Sequence, residues 1–364
     1  MTKIGIDLGK KASDVCVMGS ATEVSERFRV ATTREALTTA FANRPAAQIA
    51  VEACRGALWV REVLMGLGHE VVLVDTSRAR AIGIGQGKRK NDRRDAEALA
   101  RALWAGVVPR AHVLSHEAQR LRDVLHARHQ LVGMRTELVT QLRGQMQARG
   151  VLVPGCRAEE FARRLRESGG ELVGAVQVQS ALRVIEALTS ELTVLTAELQ
   201  ALAARHEPFE RLCTVPGVKL IVALSFMAAL DRAARFRTAH QVEAYLGLVP
   251  SERSTGGQQR LGRITKAGDS LTRSMLVQAS HTLLRVRGHD TDPLVVWGRQ
   301  LAARRGKRVA VTAVARRLAG VLWAMWMDGT DYDPKGLARA SAGGLSRRAR
   351  ETQREAATMQ QIAA

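Results

Sequence analysis

The sequence predicts an α/β N-terminal region followed by a mainly helical remainder. Short apolar runs alternate with amphipathic segments over roughly the first 75 residues, which is typical of strands and helices in an α/β layer fold. From residue 92 onward the apolar residues recur mostly at helical spacing. We predict four regions: an α/β domain over 1–110, a helical, coiled-coil segment over 111–205, a C-terminal domain over 206–335 and a loosely ordered basic tail over 336–364.

The N-terminal elements follow from local patterns. Residues 3–8 and 13–19 are predicted to form two strands joined by a Gly-Lys turn, and "ERFRVATT" a third. "REALTTAFANR" has helical spacing, "QIAVEAC" is a buried strand ending at Glu52, "ALWVREVLMGLG" is a helix closed by Gly68, and "HEVVLVD" is another strand. The sheet therefore precedes the long helices.

Two long amphipathic helices are predicted in the middle of the chain. The first falls within 92–146 and the second spans about 176–205, with a Gly/Pro break at "VLVPGC" between them. This pattern indicates a helical hairpin, an arm or a coiled coil used for oligomerisation. Two further helices are expected at about 270–286 and 309–327.

The stretch "LCTVPGVKLIVALSFMAAL" resembles a helix-hairpin-helix, because Pro216 and Gly217 separate two apolar helical turns. Such a turn presents backbone N–H groups to a phosphate. We therefore place Gly217 and Lys219 among the candidate nucleic-acid contacts. An ordinary helix start at a Pro-Gly turn is the alternative.

The charge of the chain points to a polyphosphate partner. Against 35 acidic residues stand 55 Lys and Arg, a net charge of +20, which favours nucleic acid. With 46% hydrophobic and 25% charged residues, the composition excludes a disordered tail and a membrane protein. The four cysteines form no C-x-x-C pair, so neither a zinc ribbon nor a disulfide framework is expected. Without a signal-peptide pattern, a cytoplasmic, nucleoid-associated protein is expected.

Four carboxylates mark a candidate metal site. Asp7 and Glu52 end two predicted strands, and Asp92 and Asp95 lie three residues apart at the start of a helix, so they share one face of it. Converging carboxylates repel one another unless cations lie between them, and Mg²⁺ prefers carboxylate and phosphate oxygens. Magnesium bound there could polarise a phosphodiester. Alone, each carboxylate could equally be a turn or helix-start residue.

Basic residues surround this acidic pair and a second polar stretch. The candidate nucleic-acid contacts near the pair are Lys88, Arg89, Lys90, Arg93 and Arg94. The second stretch, "RSTGGQQRLGRITKAG", contributes Gly256, Gly257, Arg260, Arg263 and Lys266. Its glycines let the backbone approach a phosphate closely, and its cations neutralise the charge. A solvated Ser/Gly loop is the alternative.

"IGIDLGK" also matches the first phosphate loop of the actin and sugar-kinase fold, which predicts an ATPase. That class requires further Gly-rich nucleotide loops in an apolar strand context. "GIGQG" and "STGG" are the candidates, but both lie among Arg and Lys. We therefore rank the ATPase below a DNA-cutting enzyme.

In their order along the chain, these motifs resemble the DEDD transposases of bacterial insertion sequences, also called bridge-RNA-guided recombinases. The resemblance rests on "IGIDLGK", "VEACRG", "KNDRRDAEALA", "VPGV" and "GLVPSERSTGGQQRLGRITKAG" and covers nearly the whole chain. It implies an RNase H-like (RuvC-like) N-terminal domain, a coiled-coil segment and a transposase domain with a catalytic serine. It also implies magnesium bound by Asp7, Glu52, Asp92 and Asp95, a homo-dimer or homo-tetramer, and a noncoding bridge RNA that pairs with donor and target DNA.

The resemblance further implies a serine nucleophile that forms a covalent phosphoserine linkage to DNA. Counting back from "TKAG" favours Ser254, and counting forward from Pro250 favours Thr255. We choose Ser254, because a primary hydroxyl is less hindered, and keep Thr255 as the alternative. A serine needs a base or a metal for activation. Because the carboxylates and the serine belong to different domains, we expect the two domains to meet in a composite site formed across subunits.

Two other functions remain open at the level of sequence. A RuvC-like, metal-dependent junction endonuclease that acts by hydrolysis would need the four carboxylates but not Ser254. A basic architectural protein that only binds DNA or RNA would need neither. Binding to nucleic acid does not separate them, because the phosphate contribution is common to all three.

Overall fold

The computed structural model describes residues 1–81, 92–252, 260–285, 288 and 290–334. The chain divides into two compact units, Met1–Val113 and Leu114–Ala364. The predicted tail at 336–364 lies outside the described residues, and so does most of the polar stretch that holds Ser254 and Thr255.

The N-terminal unit is built on one mixed five-stranded sheet. All five predicted strands are confirmed, at Lys3–Asp7 (β1), Ala12–Met18 (β2), Val24–Ala31 (β3), Gln48–Glu52 (β4) and Glu70–Val74 (β5). Their order across the sheet is β3-β2-β1-β4-β5. The first three strands pair antiparallel, whereas β4 pairs parallel with both β1 and β5.

Helices cover the two faces of this sheet. Their bounds are Arg34–Phe41 (α1), Ala57–Gly66 (α2), Thr76–Ala81 (α3) and Asp92–Trp104 (α4). On one face Ile4, Ile6 and Val51 pack with residues of α1 and α2. On the other face Cys16 and Met18 pack with Ala96 and Ala100 of α4. The short helix α3 was not predicted from the sequence.

Two long helices open the second unit, as predicted. They are His116–Gln147 (α5) and Val176–Ala203 (α8), and two short helices lie between them at Phe161–Glu167 (α6) and Glu171–Gly174 (α7). The long helices pack on each other. Leu142, Phe161, Val173 and Leu182 belong to one apolar cluster that joins all four helices. The helical hairpin is therefore confirmed, with two short helices inside its connection.

The rest of this unit is helical apart from one β-hairpin. Its elements are Pro208–Leu212 (α9), Leu220–Leu230 (α10), Ala239–Tyr245 (α11), Pro250–Glu252 (β6), Leu261–Ile264 (β7), Ser270–Arg285 (α12), Pro293–Arg305 (α13) and Lys307–Asp328 (α14). The sequence predicted helices at α12 and α14 but missed α11, α13 and the hairpin strands β6 and β7. Leu224, Leu276 and Trp323 lie in the core that α10, α12 and α14 share.

Within the described part of the chain, α14 alone is long and apolar enough to cross a membrane by length and composition. More than half of its apolar window is buried inside the protein. Leu318, Leu322 and Trp323 of this helix are almost fully buried in the same core. The helix therefore has the packing of a core helix.

Candidate functional site

Asp7 and Glu52 end two neighbouring parallel strands. The β1–β4 pairing runs in register from Lys3 opposite Gln48 to Ile6 opposite Val51, and Asp7 and Glu52 are the next residues on the two strands. Residues of one row across a sheet project to the same face, and adjacent strands lie about 4.8 Å apart. The sheet therefore places the two carboxylates at the same edge, at the ends of adjacent strands.

Helix α4 runs antiparallel to β1, with its N-terminus towards Asp7. A Cβ atom added to Gly5 would lie 1.9 Å from the carbonyl oxygen of Ala96, so the helix backbone rests directly on this glycine. The Nζ atom of Lys3 lies 5.9 Å from the ring centroid of Trp104, the last residue of the helix. The first turn, with Asp92 and Asp95, therefore lies at the carboxylate end of β1.

The side chains at this edge are partly accessible. Asp7, Glu52 and Asp95 are half-buried, and the side chain of Asp92 lies outside the described part of the structure. Among the described residues, no three Asp, Glu, His or Cys side chains stand close enough to share a metal ion. The donor set is nevertheless one of hard carboxylate oxygens, which suits Mg²⁺. The backbone therefore brings the ends of β1 and β4 and the start of α4 to one edge, but the described side chains do not form a complete metal site.

Asp14 is an acidic neighbour that the sequence analysis missed. It lies directly opposite Asp7 in the β1–β2 register and is only 8% exposed. Its Oδ2 atom lies 3.7 Å from Nε of Arg29, which is its register partner on β3. The available signal was an aspartate inside the apolar strand "ASDVCVM", since a buried charge requires a partner.

An ion-pair network holds α4 against the neighbouring strand β3. Glu97 of α4 accepts hydrogen bonds from Nη2 of Arg27 at 2.5 Å and from Nε of Arg101 at 2.9 Å. The hydrogen bond from Arg101 and the nearby Arg27 lower the pKa of Glu97, although partial burial opposes this shift. Because Glu97 is two residues after Asp95, the network fixes the helix near its first turn.

In the second unit, β6 and β7 form the arms of a hairpin that frames the predicted nucleophile. Pro250 pairs with Ile264 and Glu252 with Leu261. Ser254, Thr255, Gly256 and Gly257 lie outside the described residues. Of the basic residues predicted in this stretch, Arg260, Arg263 and Lys266 are exposed on the hairpin.

The base of this hairpin depends on two glycines. Gly247 and Gly268 have φ values of +69° and +71°, and an added Cβ would lie 2.2 Å from the carbonyl oxygens of Ala267 and Tyr245, respectively. Lys266 between them also has a positive φ, +56°. The ends of "GLVPSE" and "ITKAG" therefore cross with no room for a side chain at either glycine.

Asp269 joins the hairpin base to α5 and α12. Its Oδ2 accepts hydrogen bonds from the amide and the hydroxyl of Thr272, both at 2.7 Å. Its Oδ1 lies 3.4 Å from Nη2 of Arg122 and 3.3 Å from Nε2 of His126 on α5. Burial opposes ionisation, but these groups outweigh it and lower the pKa of Asp269. The Gly-Asp pair before a helical run was the available capping signal.

Arg273 closes the same region from α12. Its Nη1 atom donates to the carbonyl oxygens of Ala267 at 2.5 Å and Gly268 at 3.1 Å, and to that of Leu246 at 3.2 Å. One guanidinium group therefore contacts both chain ends of the hairpin.

The Pro-Gly turn lies between α9 and α10. Gly217 has φ +85°, and an added Cβ would lie 2.8 Å from the carbonyl oxygen of Ala279 on α12. Lys219 is exposed at the N-cap of α10, where its side chain makes no capping hydrogen bond. The first backbone N–H groups of α10 have no partner within the helix, as at any helix start.

The basic residues around Asp92 are only partly described. Arg94 is exposed on α4. Lys88, Arg89 and Lys90 lie outside the described residues, and so does the side chain of Arg93.

Two family profiles match the chain. Residues 4–149 match the DEDD profile of IS110-type elements, described as "Transposase", and residues 209–293 match "Transposase IS116/IS110/IS902 family". A "Probable family 20 transposase" of Pseudomonas aeruginosa is 32% identical over 349 residues, which cover 92% of this chain and 99% of that protein. The "Transposase for insertion sequence element IS1111A" of Coxiella burnetii is 28% identical and covers 88% of each chain.

Proposed function

The chain belongs to the IS116/IS110/IS902 family of transposases, enzymes that cut and join DNA, and from this premise we propose its mechanism. The protein exchanges DNA strands of its insertion sequence through a covalent phosphoserine intermediate, assisted by metal-bound carboxylates. The observation that carries the proposal is the convergence of Asp7, Glu52 and the first turn of α4 at one edge of the sheet. The mixed sheet is consistent with an RNase H-like domain.

We assign Asp7, Glu52, Asp92 and Asp95 to the metal. The DEDD profile implies metal-dependent catalysis, and the oxygen-only donor set favours Mg²⁺. Bound there, the ion would polarise the scissile phosphodiester and stabilise charge on its oxygens. The four side chains would hold the ion, and the packing of α4 on Gly5 keeps Asp95 at the same end of the sheet as Asp7.

Ser254 is the proposed nucleophile. Its hydroxyl oxygen forms a bond to the scissile phosphorus as the bond between phosphorus and the leaving DNA oxygen breaks. The serine proton is lost, and the leaving oxygen takes up a proton to become a free hydroxyl. The reverse reaction, with a hydroxyl of another strand as nucleophile, releases the serine and joins the new strands.

The exposed cations of the hairpin support DNA binding next to this serine. Arg260, Arg263 and Lys266 follow it on the same hairpin, where their charges can neutralise backbone phosphates. The N–H groups at the start of α10, together with Lys219, provide a second phosphate contact. Gly217 allows the turn before α10 to pack closely on α12.

We also propose that a bridge RNA supplies sequence preference and that the enzyme acts as a dimer or tetramer. A net charge of +20 suits binding of two nucleic acids, and base pairing rather than side chains would then select the target. On the long helix α8, Val184 and Val194 are 49% and 60% exposed. These apolar side chains support helix–helix association between copies.

The covalent intermediate can be tested directly. The full chain is incubated with duplex DNA of the native element end in Mg²⁺, denatured, and assayed for DNA attached to protein in wild type, Ser254→Ala, Thr255→Ala and Asp7→Asn. We expect an adduct in wild type and Thr255→Ala, and none in Ser254→Ala or Asp7→Asn.

Other outcomes assign the chemistry differently. Loss of the adduct in Thr255→Ala alone would move the nucleophile by one residue. Cleavage without an adduct in any variant would contradict the covalent mechanism and favour a hydrolytic junction endonuclease. Cleavage that persists in Asp7→Asn would remove the carboxylate edge from the mechanism.

A further inference from the structure

The edge strand β3 carries two arginines on the face of the sheet that α4 occupies. Arg27 and Arg29 alternate with Phe28 and Val30, whose side chains pack into the opposite core. Helix α4 packs on β1, β2 and β4. The side chains of Arg27 and Arg29 are 50% and 64% exposed, so this part of β3 is open to solvent.

Arg29 stands in the same row of the sheet as Asp7. The row runs from Asp7 on β1 through Asp14 on β2 to Arg29 on β3. Two strand spacings place the backbone of Arg29 roughly 10 Å from that of Asp7. A DNA strand cut at the carboxylate edge can therefore continue over β3 and bring a neighbouring phosphate to this guanidinium.

The two arginines are held differently. Arg27 donates to Glu97 at 2.5 Å, which ties it to α4, whereas Nε of Arg29 lies 3.7 Å from Oδ2 of Asp14. At 3.7 Å this pair is longer than a hydrogen bond, and the Arg29 side chain is exposed whereas the Asp14 side chain is buried. The exposed guanidinium of Arg29 can meet a phosphate while it stays beside Asp14, and guanidinium groups bind phosphate with two parallel hydrogen bonds.

A small cavity lies beside this arginine. It has a volume of about 160 Å³ and is lined by Asp14, Val15, Arg27, Phe28 and Arg29. At about 30 Å³ for each water molecule, this is space for roughly five waters or for a phosphate group with part of its hydration. The Asp14 carboxylate would repel an anion, and the nearby Arg29 partly balances its charge.

We propose that Arg29, oriented by Asp14, binds a backbone phosphate next to the scissile phosphate on the DNA strand that is cut. This inference rests on the proposed function, because it takes the carboxylate edge as the site of cleavage. Arg29 binds the substrate in this proposal and takes no part in bond breaking. When no DNA is bound, Asp14 keeps the guanidinium of Arg29 in position.

Arg110 offers a matched control at the opposite edge of the same sheet. It is 70% exposed, and its Nη2 lies 3.6 Å from Oε1 of Glu70, so its exposure and ion-pair distance resemble those of Arg29. Arg29→Ala and Arg110→Ala change the net charge equally. They therefore separate a local phosphate contact from a general loss of positive charge.

The first measurement is the salt dependence of DNA binding by the full chain. Fluorescein-labelled duplex DNA of the element end is titrated at several salt concentrations with wild type, Arg29→Ala, Arg29→Lys and Arg110→Ala. Each phosphate contact contributes about 0.9 to the slope of log K against log salt. We expect Arg29→Ala to lower the slope by about that amount, and Arg29→Lys and Arg110→Ala to leave it unchanged.

The second measurement locates the phosphate. Single neutral methylphosphonates replace the phosphates on either side of the cleavage position, one at a time. At one position we expect the modification to weaken wild type about five- to tenfold and Arg29→Ala not at all, because that variant has already lost the contact. If Arg29→Ala and the methylphosphonate weaken binding independently at every position tested, so that their fold-changes multiply, the proposal is overturned.

The controls keep the two proposals distinct. Equal slopes for Arg29→Ala and Arg110→Ala would show that Arg29 makes no local contact with a DNA phosphate. The carboxylate mechanism would still stand if Asp7→Asn abolished cleavage. If Asp7→Asn cleaved normally, the proposed function itself would fail, whatever the behaviour of Arg29.

Discussion

The two candidate catalytic regions are assembled in opposite ways. The carboxylate edge brings together Asp7, Glu52 and Asp95 from three distant segments. The hairpin instead keeps Ser254 and its cations within one short stretch of chain between β6 and β7. The first region therefore depends on how strands and helices pack, and the second on how the backbone turns at its base.

Mutations at the carboxylate edge are expected to disturb the protein more than mutations at the hairpin. Residues that hold the edge lie inside the sheet and under α4, so a change there disturbs a buried core. Those that hold the hairpin lie at its base, where Lys266 is exposed and can shift with little loss of packing. Substitutions at structurally matched glycines therefore test the comparison.

The largest effect is expected for Gly5→Ala. The new Cβ would lie 1.9 Å from the carbonyl oxygen of Ala96 and 2.7 Å from the amide of Ala100, so α4 must move off the sheet. We expect a loss of at least about 3 kcal/mol in the stability of β1 and α4, together with loss of DNA cleavage. Hydrogen exchange of the full chain, resolved by peptide, measures this local stability.

Gly66→Ala is the control for this substitution. Gly66 is the last residue of α2, and an added Cβ meets nothing within 4 Å. The variant should be unchanged or more stable by up to about 1 kcal/mol, because alanine favours the helix. Equal protection of the β1 amides from hydrogen exchange in Gly5→Ala and Gly66→Ala would contradict the close contact between Gly5 and α4.

A smaller effect is expected for Gly247→Ala at the hairpin. The substitution requires a left-handed conformation of alanine and a Cβ 2.2 Å from the carbonyl oxygen of Ala267. Gly150→Ala requires a similar conformation, φ +76°, with nothing within 4 Å, so it isolates the backbone cost of about 1 kcal/mol. We expect Gly247→Ala to cost about 2–3 kcal/mol in thermal unfolding and to reduce adduct formation.

Comparison of Gly247→Ala with Gly150→Ala tests whether the close approach of the two chain ends stabilises the hairpin. Equal destabilisation by the two variants would mean that the crossing of the two chain ends contributes nothing. A normal yield of adduct in Gly247→Ala would show that the nucleophile does not need this base.

The smallest effect concerns Asp269, which links the hairpin to α5. Asp269→Asn removes the carboxylate that Thr272, Arg122 and His126 surround, and we expect a loss of about 2 kcal/mol at pH 7. Because its pKa in the folded chain lies below its ordinary value of 3.8, this contribution is complete above pH 3.8. It disappears as the pH falls through the lowered value.

Urea unfolding at pH 7 and at decreasing acid pH measures this dependence. The gap between wild type and Asp269→Asn should narrow as Asp269 takes up its proton. Asp123→Asn, at an exposed position on α5, should change stability by less than about 0.5 kcal/mol throughout. A gap that stays constant with pH would show that the charge of Asp269 contributes nothing.

Much of this protein could be predicted from local sequence patterns. Alternating and helical periodicity identified the five strands and the long helices α5 and α8, because both patterns are set by residues close in sequence. The ends of the apolar runs also placed Asp7 and Glu52 at strand termini. The order of motifs predicted the family, which both profiles and the relatives confirm.

The missed elements have local explanations. Helix α13 carries "PLVVWGRQLAARR", with a glycine and four polar or charged residues among its apolar positions, so its periodic signal is weak. Helices α3, α6, α7 and α11 have only four to seven residues, and the strands β6 and β7 only three and four, too few for a pattern to repeat.

The sequence by itself determined the five strands of the sheet, the longer helices α5 and α8, and which carboxylates stand at the ends of strands. Only the tertiary structure decided which of these residues become neighbours. Strand register places Asp14 beside Asp7 and Arg29 beside Asp14, and the contact between Gly5 and Ala96 sets the direction of α4. Register and helix packing join residues far apart in sequence, so no local pattern contains them.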